Sequence, residues 1–196
     1  MTSSLILYAI FLLAVSAGRL IEMAIGRRHQ RILITHGARN ISDPVFPWIV
    51  ILHVGILLGS FLEAWLLKRP FVPVLALPMI VFFMLANALR WWVIATMAEH
   101  WNVRVMDSLD LGVVSHGPFR FIRHPNYLAL FVELLAIPLI HTAYLTAILG
   151  TLAHLWILRS RIATEESVLL ANHDYLATMG AKPRFVPRLR WTRPKA

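Results

Sequence analysis

The chain has 196 residues, of which 58% are hydrophobic and only 15% charged, and its mean hydropathy is +0.66. Soluble globular domains carry about a quarter of their residues as charges, so the composition excludes them and describes an integral membrane protein. With about 20 apolar residues per crossing, the length admits about five crossings, short loops and a small extramembrane portion, but no second soluble domain. The chain has no cysteine, which removes disulfides, thiolate metal sites and cysteine nucleophiles. Its nine glycines form neither a phosphate-cradling cluster nor a G-x-G-x-x-G turn. The net charge of +9 is spread over loops beside apolar runs, where attraction to anionic headgroups explains it and nucleic-acid binding is not expected.

In chain order, the expected architecture is all-α, a single membrane-embedded domain over 1–196 with spans at about 5–25, 47–67, 71–97, 126–140 and 142–158. The first run lacks the basic leader and cleavage site of a signal peptide and reads as a retained anchor. Ser42, Asp43 and Pro44 precede the second and offer an N-cap oxygen and a proline that needs no N–H. The third is long enough to cross with tilt. After a polar stretch, the apolar residues from Asn126 to Leu158 are interrupted at Pro138, His141 and Thr142, which predicts a tight helical hairpin followed by a C-terminal segment.

Basic residues sort by loop. Arg27, Arg28, Arg31 and Arg39 follow the first run; Arg104, Arg120 and Arg123 follow the third; Arg159, Arg161 and a tail from Lys182 to Lys195 follow the last. The opposite side has Lys68 and Arg69. The positive-inside rule then puts the N-terminus outside and the 98–125 loop and C-terminal segment in the cytoplasm. The tail, with prolines at 183 and 187, is expected to be an extended cover over the functional end.

Ionisable side chains within apolar runs are costly in lipid and normally face protein or a wet cavity. Arg19 and Glu22, three apart, can pair on one helix face, and Glu63 is close enough to a helix end to reach headgroups. Arg90, in Leu89-Arg90-Trp91-Trp92, needs a carboxylate or carbonyl partner and reads either as a helix-packing ion pair or as part of an active-site wall. His53 and His154 read as satisfied core histidines, and no spacing suggests a metal site. Glu133, Arg90 and His154 also allow a rival reading, a small transporter or channel-like protein with a polar path at mid-membrane. The lack of an internal repeat weakens that rival. A membrane scaffold without chemistry is the third reading.

Two segments carry chemical information. In His116-Gly117-Pro118-Phe119-Arg120-Phe121-Ile122-Arg123-His124-Pro125-Asn126-Tyr127, Gly117-Pro118 makes a turn and His124-Pro125 reads as N-cap and first helical residue, so a helix N-terminus opens there. Such an end offers N–H groups and a positive dipole to an anion; the plainer alternative is an interfacial loop whose arginines meet lipid phosphate. In Arg159-Ser160-Arg161-Ile162-Ala163-Thr164-Glu165-Glu166, a continued helix puts Arg161 and Glu165 on one face. A carboxylate there can accept from an amine or ribose hydroxyl and an arginine can hold an anion; alone, the two would be a solvated pair.

Together these segments resemble the isoprenylcysteine carboxyl methyltransferase family of membrane-embedded enzymes that use S-adenosylmethionine. The resemblance rests on Gly117-Pro118-Phe119-Arg120, Arg123-His124-Pro125-Asn126-Tyr127, Arg161 with Glu165-Glu166, and a closing Pro183-Arg184-Phe185-Val186-Pro187. Leu89-Arg90-Trp91-Trp92 and Trp101-Asn102-Val103-Arg104-Val105 are similar to a bacterial branch that O-methylates alkylpyrones or alkylresorcinols beside type III polyketide synthases. The resemblance implies a catalytic portion of about 89–190 in a multi-pass protein of the bacterial inner membrane. It implies cofactor contacts from Leu111, Gly112, Val113, Val114, Phe119, His124, Pro125, Asn126, Tyr127 and Glu165, a substrate-side role for Arg161, and no metal. Leu111, where a polar residue is often found, and Ala129, where a glycine is common, depart from the pattern.

The implied reaction moves a methyl group from a sulfonium to an oxygen in line with the departing sulfur, and positioning in a dry cavity supplies most of the acceleration. A carboxylate acceptor, as in a prenylated cysteine, arrives ionised, and Arg161 could orient it. A phenol or enol needs a lowered pKa or a base, for which His116 and His124 are the nearest candidates. A lipophilic acceptor entering from the bilayer, with the cofactor arriving from the cytosol, explains why such an enzyme would be embedded in lipid.

Overall fold

The structure is a computed structural model that describes residues 2–108 and 111–187. Its elements in chain order are α1 (Thr2–Thr35), β1 (Arg39–Asn40), α2 (Phe46–Leu66), α3 (Pro73–Met97), β2 (Met106–Asp107), α4 (Pro125–Leu139), α5 (Tyr144–Leu169) and α6 (His173–Met179). Short 3-10 turns occupy Ala98–His100 and Gly117–Arg120. Among the described residues, three helices are long and apolar enough to cross a membrane: α1, α2, and α3 with the turn that extends it. Outward leucines and aromatics on the long helices, such as Leu7, Leu13, Leu58, Leu85 and Trp156, stay exposed, as lipid-facing surfaces must. The chain is a helical multi-pass membrane protein.

The expected hairpin is present. α4, with 15 residues, is about 22 Å long at 1.5 Å per residue, short of a hydrocarbon core of about 30 Å. Pro138 lies in its last turn, and the chain reverses through His141 and Thr142, the latter at φ 56°. α5 starts under Glu63 of α2, whose carboxylate accepts from the amides of Leu145 (3.0 Å) and Thr146 (2.7 Å) and the Thr146 hydroxyl (2.8 Å), while Arg69 donates to it at 2.8 Å. A carboxylate at a helix N-terminus satisfies orphan N–H groups and meets the positive dipole end. Glu63 therefore caps a neighbouring helix instead of reaching for headgroups. At Gly150 of α5 a Cβ would approach Ile56 of α2 to 2.7 Å, so only glycine permits this close crossing.

Four buried or half-buried charges latch α1, α3 and α4. Arg19 bridges both oxygens of Glu22 (3.1 and 3.0 Å) and reaches Glu133 at 2.5 Å; Arg90 grips Glu22 at 2.8 and 2.5 Å; Asn87 donates to Glu133 at 3.3 Å. Two arginines and two glutamates neutralise one another, which is how ionised groups persist in an apolar bundle. The fully buried Glu133 is thereby occupied by α1 and α3. Beside the latch, Tyr8, Leu12, Ala64, Phe83, Ala136, Ile137 and Ile140 form one core cluster; a second, of Val93, Ile94, Trp101, Phe119, Tyr175 and Met179, lies under the 98–125 loop.

Several boundaries differ from the sequence-based expectation. α1 runs beyond Ile25 to Thr35, because no glycine or proline interrupts 27–35, and it ends before Gly37 at φ 94°, a backbone region suited to glycine. Ser42 and Asp43 do not cap the second span: α2 begins at Phe46 after Val45, and Asp43 is turned elsewhere. The expected all-α architecture gains a minimal antiparallel pair, with Arg39 opposite Asp107 and Asn40 opposite Met106. That pair ties the α1–α2 linker to the loop after α3. The basic tail residues beyond 187 lie outside the described residues.

Candidate active site

A cavity of about 550 Å³ opens where α1, α2, α3, α4 and α5 approach the 98–125 loop. Its intramembrane part is walled by apolar residues such as Leu20, Val50, Val54 and Leu57; its polar end is made by Asn126, Tyr127, Arg161 and Glu165. The size is that of a pocket for a cofactor or drug-sized ligand.

The polar end is built around two helix ends. α4 starts at Pro125 with His124 as N-cap residue, but the His124 side chain caps nothing; its Nε2 lies 2.9 Å from Glu166 Oε1. The first turn carries Asn126 and Tyr127. α5 continues past the apolar run, as expected, and brings Arg161 and Glu165 opposite that turn. The Tyr127 hydroxyl donates to Glu165 Oε2 and accepts from Arg161 Nε at 3.2 Å. Arg161 also donates to the Val103 carbonyl at 2.9 Å and pairs with Asp43 through its remaining terminal nitrogen. Arg161 and Asp43 are both buried.

Gly117 fixes the approach of the preceding loop. Its φ is 56°, and a Cβ there would meet the Thr96 hydroxyl oxygen of α3 at 2.5 Å, so the Gly-Pro turn packs directly on α3 and drives Phe119 into the second core cluster. Val113 and Val114 pack on the same cluster. The described tail closes the outside. The Arg123 and His124 amides donate to the carbonyls of Pro183 (2.9 Å) and Arg184 (3.0 Å), and the Phe185 ring lies 6.1 Å from that of His124. The chain itself thus takes two amides at this end of α4, and the N–H groups left for an incoming anion are those of Asn126 and Tyr127, which no preceding turn can satisfy.

Of the residues singled out from sequence, Gly112, Val113, Val114, Phe119, His124, Pro125, Asn126, Tyr127, Arg161 and Glu165 all line this cavity. Leu111 does not; its side chain is exposed. His116, named as a possible base, is exposed and also outside the lining, whereas His124 lies in the lining but is engaged with Glu166. Arg90 forms the ion pair with Glu22 and also lines the cavity, 3.4 Å from the Asn126 side chain.

Sequence reasoning missed Asp43 and Glu166. Buried Glu166 gathers Arg123 (3.3 Å), His124 and Arg184 (2.5 Å) and so ties the loop, the start of α4 and the tail to α5. Its hydrogen bonds push the Arg184 guanidinium above its usual pKa. Lys182 donates to the Phe119 carbonyl at 2.9 Å, and burial pulls its pKa down. Burial, with the Glu165 charge nearby, pushes the Tyr175 phenol up to about 12. The Glu-Glu pair on α5 was the available signal: one helix cannot turn adjacent carboxylates to the same face. Asp43 had no signal beyond being an acid beside a proline.

Membrane helices on one side and loop residues on the other thus enclose a chamber with a charged, hydrogen-bonded end, the arrangement of a helical membrane protein with an internal ligand site. Residues 79–171 match the isoprenylcysteine carboxyl methyltransferase (ICMT) family. The fold is similar to that of the eukaryotic intramembrane Ras methyltransferase ICMT, with a TM-score of 0.54 and 26% identity over 70% of this chain; the chain spans about half, 52%, of that enzyme's length. Relatives at similar distance are the uncharacterized protein YpbQ of Bacillus subtilis, 27% identical over 152 residues (77% of this chain, 89% of that one), and an uncharacterized protein of Haemophilus influenzae, 29% identical over 154 residues (77% and 88%). Over residues 79–171, just under half of the chain, the protein is thus similar to a family of membrane methyltransferases that generally use S-adenosylmethionine.

Proposed function

We propose that the protein is an S-adenosylmethionine-dependent O-methyltransferase acting on a lipophilic acceptor, with its catalytic portion in about 89–190. The observation that carries this reading is the Glu165–Tyr127–Arg161 chain of hydrogen bonds at the polar end of a cavity that continues into the apolar bundle. The residues present fit the cofactor. Glu165 can accept from an amine or ribose hydroxyl, the Asn126 and Tyr127 amides can receive a carboxylate, and Phe119, Val113 and Val114 offer an apolar wall. When bound, S-adenosylmethionine supplies an activated methyl group on a sulfonium.

This chain's residues then do three things. The intramembrane wall would admit and align the acceptor and exclude water, holding its oxygen toward the polar end where Glu165, Tyr127 and Asn126 would hold the methyl donor. The Glu165 carboxylate would attract a cationic cofactor at this end, an attraction strengthened in a site of low dielectric. Arg161 stands at the junction between acceptor and cofactor, where its guanidinium favours an ionised oxygen. A carboxylate acceptor needs no proton removal. A phenol or enol would first lose its proton to solvent water at the polar end, and Arg161 would favour the resulting anionic oxygen as the acceptor. We place the polar end, the tail and the C-terminus on the cytoplasmic side of a bacterial inner membrane, on the distribution of arginines and lysines.

Transfer of radiolabelled methyl from S-adenosylmethionine into extracted lipophiles tests this reading, with purified protein in detergent offered a long-chain resorcinol, a long-chain pyrone and a farnesylated cysteine. Label in at least one acceptor is expected. No label in any of them, from folded protein that also fails to bind S-adenosylhomocysteine, overturns it.

A further inference from the structure

The cavity has a second polar feature that the reading above leaves unused. His53 of α2 and His154 of α5 meet edge to face inside the bundle, ring centroids 6.1 Å apart at 88°, and both line the cavity. His154 is 3% exposed, and its Nε2 is buried without a hydrogen-bond partner. His53 Nδ1 lies 2.5 Å from the Ile49 carbonyl oxygen, which only accepts, so this nitrogen carries the proton and Nε2 of the neutral ring keeps its lone pair. Among the described residues no carboxylate pairs with either ring, and the charged groups sharing this part of the cavity are Arg19, Glu22 and Arg90, which pair with one another and, through Arg19, with Glu133. A buried polar atom without a partner costs free energy; one that faces a cavity is satisfied by what enters it.

We propose that His53 and His154 form a hydrogen-bonding subsite that reads a neutral hydroxyl on the lipophilic acceptor. One imidazole edge accepts and the other can donate, and a hydroxyl alone among simple oxygen groups does both. A carboxylate would meet the His53 lone pair and gain no net charge from the two neutral rings. The subsite lies two turns of α5 before Arg161, about 10 Å along the axis. That distance is spanned by a hydrogen bond, a small ring carrying two oxygens, and a second hydrogen bond of about 2.8 Å. The acceptor is therefore a ring with one oxygen presented at Arg161 and a second, unmethylated hydroxyl held by the histidines, its alkyl chain lying along Val50, Val54 and Leu57. This inference rests on the acceptor half of the reading above and not on the transfer chemistry.

The test compares 5-pentadecylresorcinol with 3-pentadecylphenol, which lacks one ring hydroxyl, as ligands of the whole protein in detergent without cofactor. Wild type should bind the resorcinol about five- to tenfold more tightly, a preference that His154→Leu and His53→Phe should each reduce to about twofold or less, with phenol affinity nearly unchanged. An equal preference in wild type and in either monodisperse variant overturns the subsite, as does the absence of any preference in wild type, which would mean that water satisfies His154. Because binding is read without methyl transfer, a preserved preference in a protein that transfers no methyl keeps the subsite and removes only the enzymatic reading.

Discussion

The Tyr127 hydroxyl joins Glu165 and Arg161: it donates to the glutamate and accepts from the arginine at 3.2 Å. A side chain from the first turn of α4 thus holds apart an acid and a base that, four residues apart on α5, would otherwise pair directly. Tyr127→Phe removes this spacer and little volume. Glu165 and Arg161 should collapse toward each other, so that S-adenosylhomocysteine affinity falls about three- to tenfold, the net worth of about one ordinary hydrogen bond. Isothermal titration of the variant checks this; affinity equal to wild type would show that Tyr127 does not set the Glu165 position.

Every nitrogen of the Arg161 guanidinium is engaged, by the Tyr127 hydroxyl, the Val103 carbonyl and Asp43. The β1–β2 pair makes this possible, since it holds the linker that carries Asp43 against the loop that carries Val103. Arg161→Lys keeps a charge but loses the planar fork. Methyl transfer should drop about tenfold or more in both kcat and kcat/KM, while S-adenosylhomocysteine affinity changes by less than about threefold. Asp43→Asn, which frees one prong without touching the cofactor end, should alter turnover and spare cofactor affinity in the same way. If Arg161→Lys loses cofactor binding first, its role lies with Glu165 and not with the acceptor.

Glu133 is fully buried and bonded to Arg19 and Asn87. Glu133→Gln leaves the Arg19 charge compensated by Glu22 alone, and breaking a buried pair from one side costs about 3 kcal/mol or more. The variant should unfold several degrees lower in detergent, and the double change Arg19→Leu with Glu133→Leu should recover much of the loss. Thermal unfolding followed by tryptophan fluorescence measures both. Stability unaffected by Glu133→Gln would mean that the latch contributes nothing.

What was legible in the sequence follows physical range. The second and third apolar runs, the turn after Pro138 and the start of α4 at Pro125 depend on local composition and on proline's fixed φ, and α2, α3 and α4 begin within two residues of the expected positions. The 117–127 segment and Arg161–Glu165 stood out as a site through their resemblance to a family motif, and Phe119, Arg123, His124, Pro125, Asn126, Tyr127, Arg161 and Glu165 line one cavity. Contacts set by tertiary folding left no local trace. Glu63 looked like an interfacial acid until α5 placed its first turn over it, and Asp43 looked like a helix cap until the strand pair turned it to Arg161. His154 read as a satisfied core histidine, yet its Nε2 has no partner; that distinction depends on a cavity built by several other segments.

The central claim is that the polar end formed by 112–127 and Glu165 binds the methyl donor. Calorimetric titration of purified protein in detergent with S-adenosylhomocysteine tests it directly, run beside Glu165→Gln. The account predicts saturable one-to-one binding to wild type and a loss of about 1.5–3 kcal/mol in the variant, the range for a hydrogen bond to a charged group. No saturable binding to folded wild-type protein, or an affinity unchanged within twofold in Glu165→Gln, would contradict it.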